Sequence, residues 1–235
     1  MTVATNDIRS IKDQRRMTLK EYLTYDDGTD TQYELEDGVL VPMGTESTGN
    51  TSIGMFLISI FLGLGIPYYR LATKHRIEVH GGYANARYPD LVVHSEESFA
   101  AIDGRKEACV ELTDPPPMLV IEVVSPGAES TKNYKRDYQW KPREYADRGI
   151  EEFWQIDPDR EWVKVGTLVS GVYQFVTFRG EDAIASPTFP ELKLTAAQAL
   201  GAGQSSTEAI DAFRLTENVI RQLNRDLKDR SSSPP

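Results

Sequence analysis

The sequence predicts a mixed α/β (α+β) protein built on one mixed β-sheet flanked by helices. Three observations carry that reading. Residues 118–124 are apolar except for Glu122 and lie between Pro115-Pro116-Pro117 and Ser125-Pro126-Gly127, as expected of a central strand covered on both faces. Strand-like segments outnumber helical ones and come in no regular alternation. One long apolar segment, 53–66, contains Ser59 and three glycines over 14 residues, short of the roughly 20 needed to span a bilayer as a helix, and so predicts a buried helix and no membrane association.

The elements follow in order. The first sixteen residues are polar, lack the apolar core of a secretory signal, and are expected to form a loose arm (1–16). Thr18 with Glu21 three positions on matches a capping box, predicting a short helix to about residue 25. Segments 32–36 and 39–43 flank Asp37-Gly38, the dipeptide favoured by a tight hairpin turn with two positive φ angles. Segments 68–79 and 91–94 read as strands, separated by Gly81-Gly82 and a short loop. A polar helix is predicted over 133–148, closed by Gly149 at the position of a C-cap glycine. Strands near 152–156, 162–168 and 172–178 follow, with Asp157-Pro158 and Ser170-Gly171 as turns. The main domain is expected over 17–200. Beyond it, 201–235 reads as a linker and an amphipathic helix whose Phe213, Ile220 and Leu227 recur every seven residues. That stripe either docks on its own domain or pairs two copies into a homodimer.

Composition bounds the function. The chain has 235 residues, a formal charge of −10, 40% apolar and 26% charged residues, the profile of a soluble globular protein with room for an enzyme. The charge argues against indiscriminate coating of nucleic acid but leaves room for a local basic cleft. The lone Cys109 excludes an internal disulfide framework and a cysteine-rich zinc site, and suits a cytoplasmic location. Gly63-Leu-Gly65 runs into Ile66-Pro67, so neither a dinucleotide loop nor a P-loop is present. Ser125 lacks the glycine two residues earlier that a nucleophile elbow needs, since that position is Val123. His75 and His80, five apart in an expected strand, point to opposite faces and make poor joint metal ligands.

The unusual residue is Glu122. A carboxylate in so apolar a strand is costly to ionise unless a cation or several donors meet it. Tyr88-Pro89-Asp90 delivers a second acid at the mouth of the 91–94 strand. If the two strands are neighbours, Asp90 and Glu122 converge on one hard divalent cation; the alternative is that Asp90 caps a turn and Glu122 pairs with an arginine. Between residues 131 and 148 six basic residues stand against three acidic ones, a local excess within the acidic chain. Tyr134, Tyr138, Lys141 and Tyr145 share one helical face, so Lys141 either aims inward at the acids or packs its stem on the tyrosines and returns its ammonium to water. Pro142 predicts a kink or restart at Lys141.

Taken together, Tyr33-Glu-Leu-Glu-Asp-Gly38, Arg87-Tyr-Pro-Asp90-Leu-Val-Val, Pro117-Met-Leu-Val-Ile-Glu122-Val-Val-Ser-Pro126, Arg136-Asp-Tyr-Gln-Trp-Lys141 and the run from Tyr145 to Asp157-Pro158 resemble the restriction-endonuclease-like family labelled Uma-two, of the PD-(D/E)XK nuclease superfamily. The resemblance implies a restriction-endonuclease-like mixed sheet flanked by helices and a metal-dependent DNA endonuclease using Mg²⁺, with Mn²⁺ as substitute. It implies Asp90 and Glu122 as metal ligands, with the Val123 carbonyl, and Glu34 as an acid supplied by the N-terminal element that acts as outer-sphere base or additional ligand. The superfamily lysine two positions after the second acid is Val124 here, so Lys141 is expected to stand in for it, with Lys135 and Lys132 as less favoured substitutes. The departure at Val124 equally allows a catalytically inactive nucleic-acid-binding or assembly module of the same fold.

Overall fold

The computed structural model describes residues 16–44, 47–73, 75–83, 85–125 and 127–204. The expected arm, apart from Arg16, and the expected C-terminal helix with its pairing stripe lie outside the described residues.

The first elements follow local rules. Thr18 caps α1 (Leu19–Leu23), its hydroxyl accepting from the Glu21 amide while the Glu21 carboxylate accepts from the Thr18 amide. Strands β1 (Tyr33–Glu36) and β2 (Val39–Pro42) form the hairpin, with Asp37 and Gly38 at φ 50° and 79° as a two-residue primed turn demands. Helix α2 (Thr48–Gly63) starts five residues before the apolar run because Ser47 caps it through the Asn50 amide. It is not buried all round: Ile53, Leu57 and Phe61 enter the core while Met55 and Leu62 stay exposed.

The expected strand over 68–79 is divided. A 3₁₀ turn at Tyr68–Arg70 leads into β3 (Leu71–Ala72), and β4 (Arg76–Val79) lies in a different sheet. The chain changes sheets between them, so an unbroken pairing over 68–79 has no single partner. His75 falls in that crossing, outside any strand, with Nδ1 2.9 Å from Nε2 of the buried His94, whose Nδ1 meets Ser98 Oγ at 2.9 Å. His80 is exposed. Strands β5 (Asn85–Arg87) and β6 (Leu91–Val93), helix α3 (Glu96–Ile102), and strands β7 (Cys109–Val110) and β8 (Leu119–Val123) complete the first half.

From β8 the chain crosses over a helical segment to β9 (Glu152–Asp157), which lies parallel to β8 with Glu122 opposite Gln155. That segment consists of α4 (Lys132–Lys135), a π-helical turn at Arg136–Trp140 and α5 (Lys141–Asp147). Gly149, at φ 79°, ends it as expected. The meander β10 (Trp162–Val169) and β11 (Val172–Phe178) follows, then α6 (Ala196–Gly201), which runs one residue past the expected linker boundary.

The mixed α/β reading holds, with two mixed sheets where one was expected: six strands in the order β11-β10-β9-β8-β6-β3 and five in the order β2-β1-β5-β4-β7. β8 is central, and its two faces serve two cores. Leu119, Ile121 and Val123 join the large core with Ile53, Leu57 and Phe61 of α2 and Ala199 and Leu200 of α6. Val120 on the other face joins Ile77 and Val79 of β4, Tyr145 of α5 and Phe153 of β9. Glu122 shares the face of Val120 and therefore looks toward α5 and the smaller sheet. Among the described residues no helix is long and apolar enough to cross a membrane.

Candidate active site

Strand alternation brings the acids in. On β1, Leu35 enters a small core with Tyr22 and Ala86 while Glu34 turns to the opposite face and is itself buried. β6 is the antiparallel neighbour of β8, with Leu91 opposite Ile121, so Asp90 at the mouth of β6 meets the far end of β8. There Asp90 Oδ2 accepts the Val123 amide at 2.6 Å. Glu34, Asp90, Glu122 and Lys141 all border one cleft of about 340 Å³, together with Val123, Lys132 and Arg136.

Lys141 aims inward. Its Nζ donates to Glu122 Oε2 at 2.7 Å and lies 3.6 Å from Glu34 Oε1 and 3.8 Å from Asp137 Oδ1. The tyrosine face does not return it to solvent, since the residue is buried. Glu122 Oε1 accepts the Tyr145 hydroxyl at 2.6 Å, so among the described residues the groups bonded to the buried carboxylate are a lysine and a tyrosine rather than the expected arginine. Burial nevertheless raises the Glu122 pKa, with Glu34 adding to the rise and Lys141 and Tyr145 opposing it. Burial alone would lower that of Lys141, but Glu122, Glu34 and Asp137 outweigh it and keep the ammonium charged well past neutral pH. For Glu34 the desolvation cost is likewise overcome, by Lys141, Arg87 and Arg136, and its pKa is lowered.

The π-helical turn explains how Lys141 is held. Its amide bonds to the Arg136 carbonyl, five residues back, in place of the Asp137 carbonyl that an α-helix would use. The next donor in the π register would be residue 142, a proline without an N–H. The Asp137 carbonyl is thus left without a helical donor, and Gln155 Nε2 of β9 supplies one at 2.6 Å. The restart that Pro142 predicts at Lys141 takes this form.

Sequence reasoning left Arg87 and Gln155 without a role. Arg87, buried on β5, forks onto Glu144 with two bonds of 2.7 Å and reaches Glu34 and Glu36 at 3.1 Å each. Burial works against its charge, but the three carboxylates more than compensate and raise its pKa. The signal was present: Glu34 and Glu36, two apart on one strand face, need a shared cation. Nothing local pointed to Gln155, whose partner comes from another element.

Of the six basic residues of the 131–148 segment, Lys132, Arg136 and Lys141 border the cleft. Lys132 pairs with Glu36 at 2.7 Å, Arg136 with Asp137 at 2.9 Å, and Arg148 donates to the carbonyls of Glu111 and Asp114 at 2.7 and 2.6 Å. Lys135 and Arg143 are exposed. In and beside the cleft, the carboxylates of Glu34, Glu36, Asp90, Glu122, Asp137 and Glu144 outnumber the cations Arg87, Lys132, Arg136 and Lys141. Such an excess favours a further cation. Asp90 and Glu122 carboxylates and the Val123 carbonyl are hard oxygen donors of the kind a Mg²⁺-like ion takes. Among the described residues no group of three or more His, Cys, Asp or Glu side chains gathers as a metal cage.

A family model described as "Uma2: Putative restriction endonuclease" matches residues 19–197. The chain belongs to this family. A solved structure described as a "putative nuclease belonging to DUF820" from Anabaena variabilis has a TM-score of 0.60 to this fold, with 20% identity over 80% of this chain and 99% of that one. The likeness supports the restriction-endonuclease-like fold. No curated protein matches. The Uma2 model covers every candidate site residue, from Glu34 to Lys141.

Proposed function

We propose that this Uma2-family protein is a metal-dependent DNA endonuclease that hydrolyses phosphodiester bonds in the cleft around Glu122. The observation that carries the proposal is the approach of Lys141 Nζ to within 2.7 Å of Glu122 Oε2, beside Asp90 and Glu34. A fixed ammonium next to metal-competent carboxylates is what in-line attack of water on a phosphodiester uses. Mg²⁺, or Mn²⁺ in its place, held by Asp90, Glu122 and the Val123 carbonyl, would polarise the phosphate and lower the pKa of a bound water.

The chain's own groups do the rest. Lys141, kept protonated by its carboxylates, orients the attacking water and shares the negative charge that builds on the phosphate oxygens. It cannot serve as the base at neutral pH. Glu34, with its lowered pKa, is a weak proton acceptor and acts chiefly by holding Lys141 and Arg87 in place. Exposed Lys135 and Arg143 supply backbone contacts to DNA. The reading places the enzyme in the cytoplasm, where the single buried Cys109 stays reduced, and lets two copies pair through the apolar heptad positions of the C-terminal segment to cut both strands.

The decisive experiment is a plasmid-nicking assay with Mg²⁺ and Mn²⁺ on wild type, Asp90→Ala, Glu122→Gln and Lys141→Ala, with metal affinity measured in parallel by calorimetry. Nicking by wild type that all three variants lose supports the proposal. Absence of both metal affinity and nicking in wild type overturns it. A second reading, a binding module without turnover, is favoured by Val124 at the superfamily's lysine position; metal affinity without nicking would select it.

A further inference from the structure

Beside the cleft lies a second cavity of about 180 Å³, which shares Asp90, Asn50, Met43 and Tyr88 with it. The two spaces meet at Asp90 but differ in chemistry. The first is crowded with charge. Among the described residues the second has no charged side chain besides Asp90: its walls are the apolar surfaces of Met43, Met55, Tyr88 and Pro89, and amide and hydroxyl groups such as those of Gln32 and Thr73 border it. Its volume falls below the roughly 300–1,000 Å³ typical of pockets for whole small-molecule ligands, so it has room for one ring system.

Gly54 shows that this space is kept open. It stands in the interior of α2, where glycine costs about 1 kcal/mol relative to alanine. Its φ lies outside the left-handed region, and apart from its chain neighbours and its own helix backbone an added Cβ would meet no atom of the described residues within 4 Å, so neither backbone conformation nor packing against them requires a glycine. The residue is nonetheless buried, and it lines the second cavity. A side chain at 54 would enter that cavity. Met55, an exposed apolar side chain on the same rim, adds a soft, adaptable surface of the kind that packs on aromatic rings.

We infer that the second cavity is a subsite for one unpaired nucleobase, next to the phosphate handled at Asp90 and Glu122. A base has two apolar faces and a hydrogen-bonding edge, matching apolar walls with a polar border, and it carries no charge to conflict with Asp90. The inference rests on the nuclease reading for the position of the phosphate. It assigns the substrate class as a strand with at least one unstacked nucleotide: single-stranded, gapped or locally opened DNA.

The test uses the full chain with a fluorescein-labelled single-stranded oligonucleotide and binding read by anisotropy. In wild type, an abasic nucleotide moved along the strand should weaken binding about tenfold at one position and little elsewhere. Gly54→Leu, which fills the cavity with a good helix former, should weaken binding of the intact strand by a similar factor and abolish the effect of the abasic position. Gly54→Ala, which adds one methyl group, should raise the melting temperature and weaken binding less than Gly54→Leu does. A flat abasic scan overturns the subsite, as does intact binding by folded Gly54→Leu. The abasic scan needs no variant, so it decides the matter even where the Gly54→Leu chain does not fold. Nicking together with a flat scan refutes the subsite and leaves the nuclease standing. Position-dependent binding without nicking under Mg²⁺ or Mn²⁺ does the reverse.

Discussion

Lys141 of α5 and Glu122 of β8 form a buried ion pair at 2.7 Å that joins the helical crossover to the central strand. The two residues are on different elements, and the pair is complete only when α5 rests on β8. Truncating one partner leaves the other charged and buried, which costs about 3–5 kcal/mol. Lys141→Ala should therefore lower the urea midpoint strongly, and the double variant with Glu122→Gln should recover part of the loss. At a temperature where Lys141→Ala is folded, nicking should fall at least about a hundredfold while metal affinity changes little. Equal loss of both would remove Lys141 from the chemistry.

Arg87 gathers Glu34, Glu36 and Glu144 at the back of the same site. Arg87→Lys retains charge but cannot form the fork onto Glu144, so we expect destabilisation of about 1–3 kcal/mol in urea titration. Arg87→Met, which leaves three carboxylates without their cation, should cost more than the lysine variant. A smaller loss for methionine than for lysine would contradict the account.

Gln155 completes the π-helical turn by donating to the Asp137 carbonyl. Gln155→Leu keeps the volume but leaves that carbonyl without its donor, at a cost of about 1–3 kcal/mol. Because the turn sets the start of α5, turnover should drop more than substrate affinity. Gln155→Asn, with a shorter reach, should not rescue either property.

The His75–His94 pair gives a pH signature away from the site. Burial depresses the pKa of both, with that of His94 brought down to about 3. Their charged forms are favoured in the unfolded chain, whose histidines titrate near 6.5, so the stability is full above that value and is lost as pH falls toward the folded pKa. For His94 alone the loss between neutral pH and pH 5 should be about 2 kcal/mol. Urea titrations at pH 7.5, 6 and 5 should show this decline in wild type and a shallower one in His94→Phe. Parallel profiles for the two proteins would refute it.

The sequence made most elements legible where the signal was local. The Thr18 capping box, the Asp37-Gly38 turn, Gly149 and the apolar run around Glu122 each state their structure within a few residues. The site was legible through the conflict at Glu122, a charge in an apolar strand that required a partner. What stayed hidden depended on distant choices. The 68–79 segment looked continuous because the change of sheet is decided by β5 and β6. Arg87 had no assigned role because its two acids come from β1, and Gln155 had none because its partner carbonyl belongs to the π-helical turn. The 131–148 segment read as a local basic excess because its partners, Glu36 among them, lie far away in the chain.

The helical crossover between the parallel strands has one more implication, for a chain still leaving the ribosome. Glu34, Asp90 and Glu122 are all translated before Lys141, and Lys141 is fixed only once β9 brings Gln155 beneath the π-helical turn. Until then the acids have no ordered ammonium beside them. On the nuclease reading, the arrangement proposed for catalysis is therefore complete only after β9 has been made.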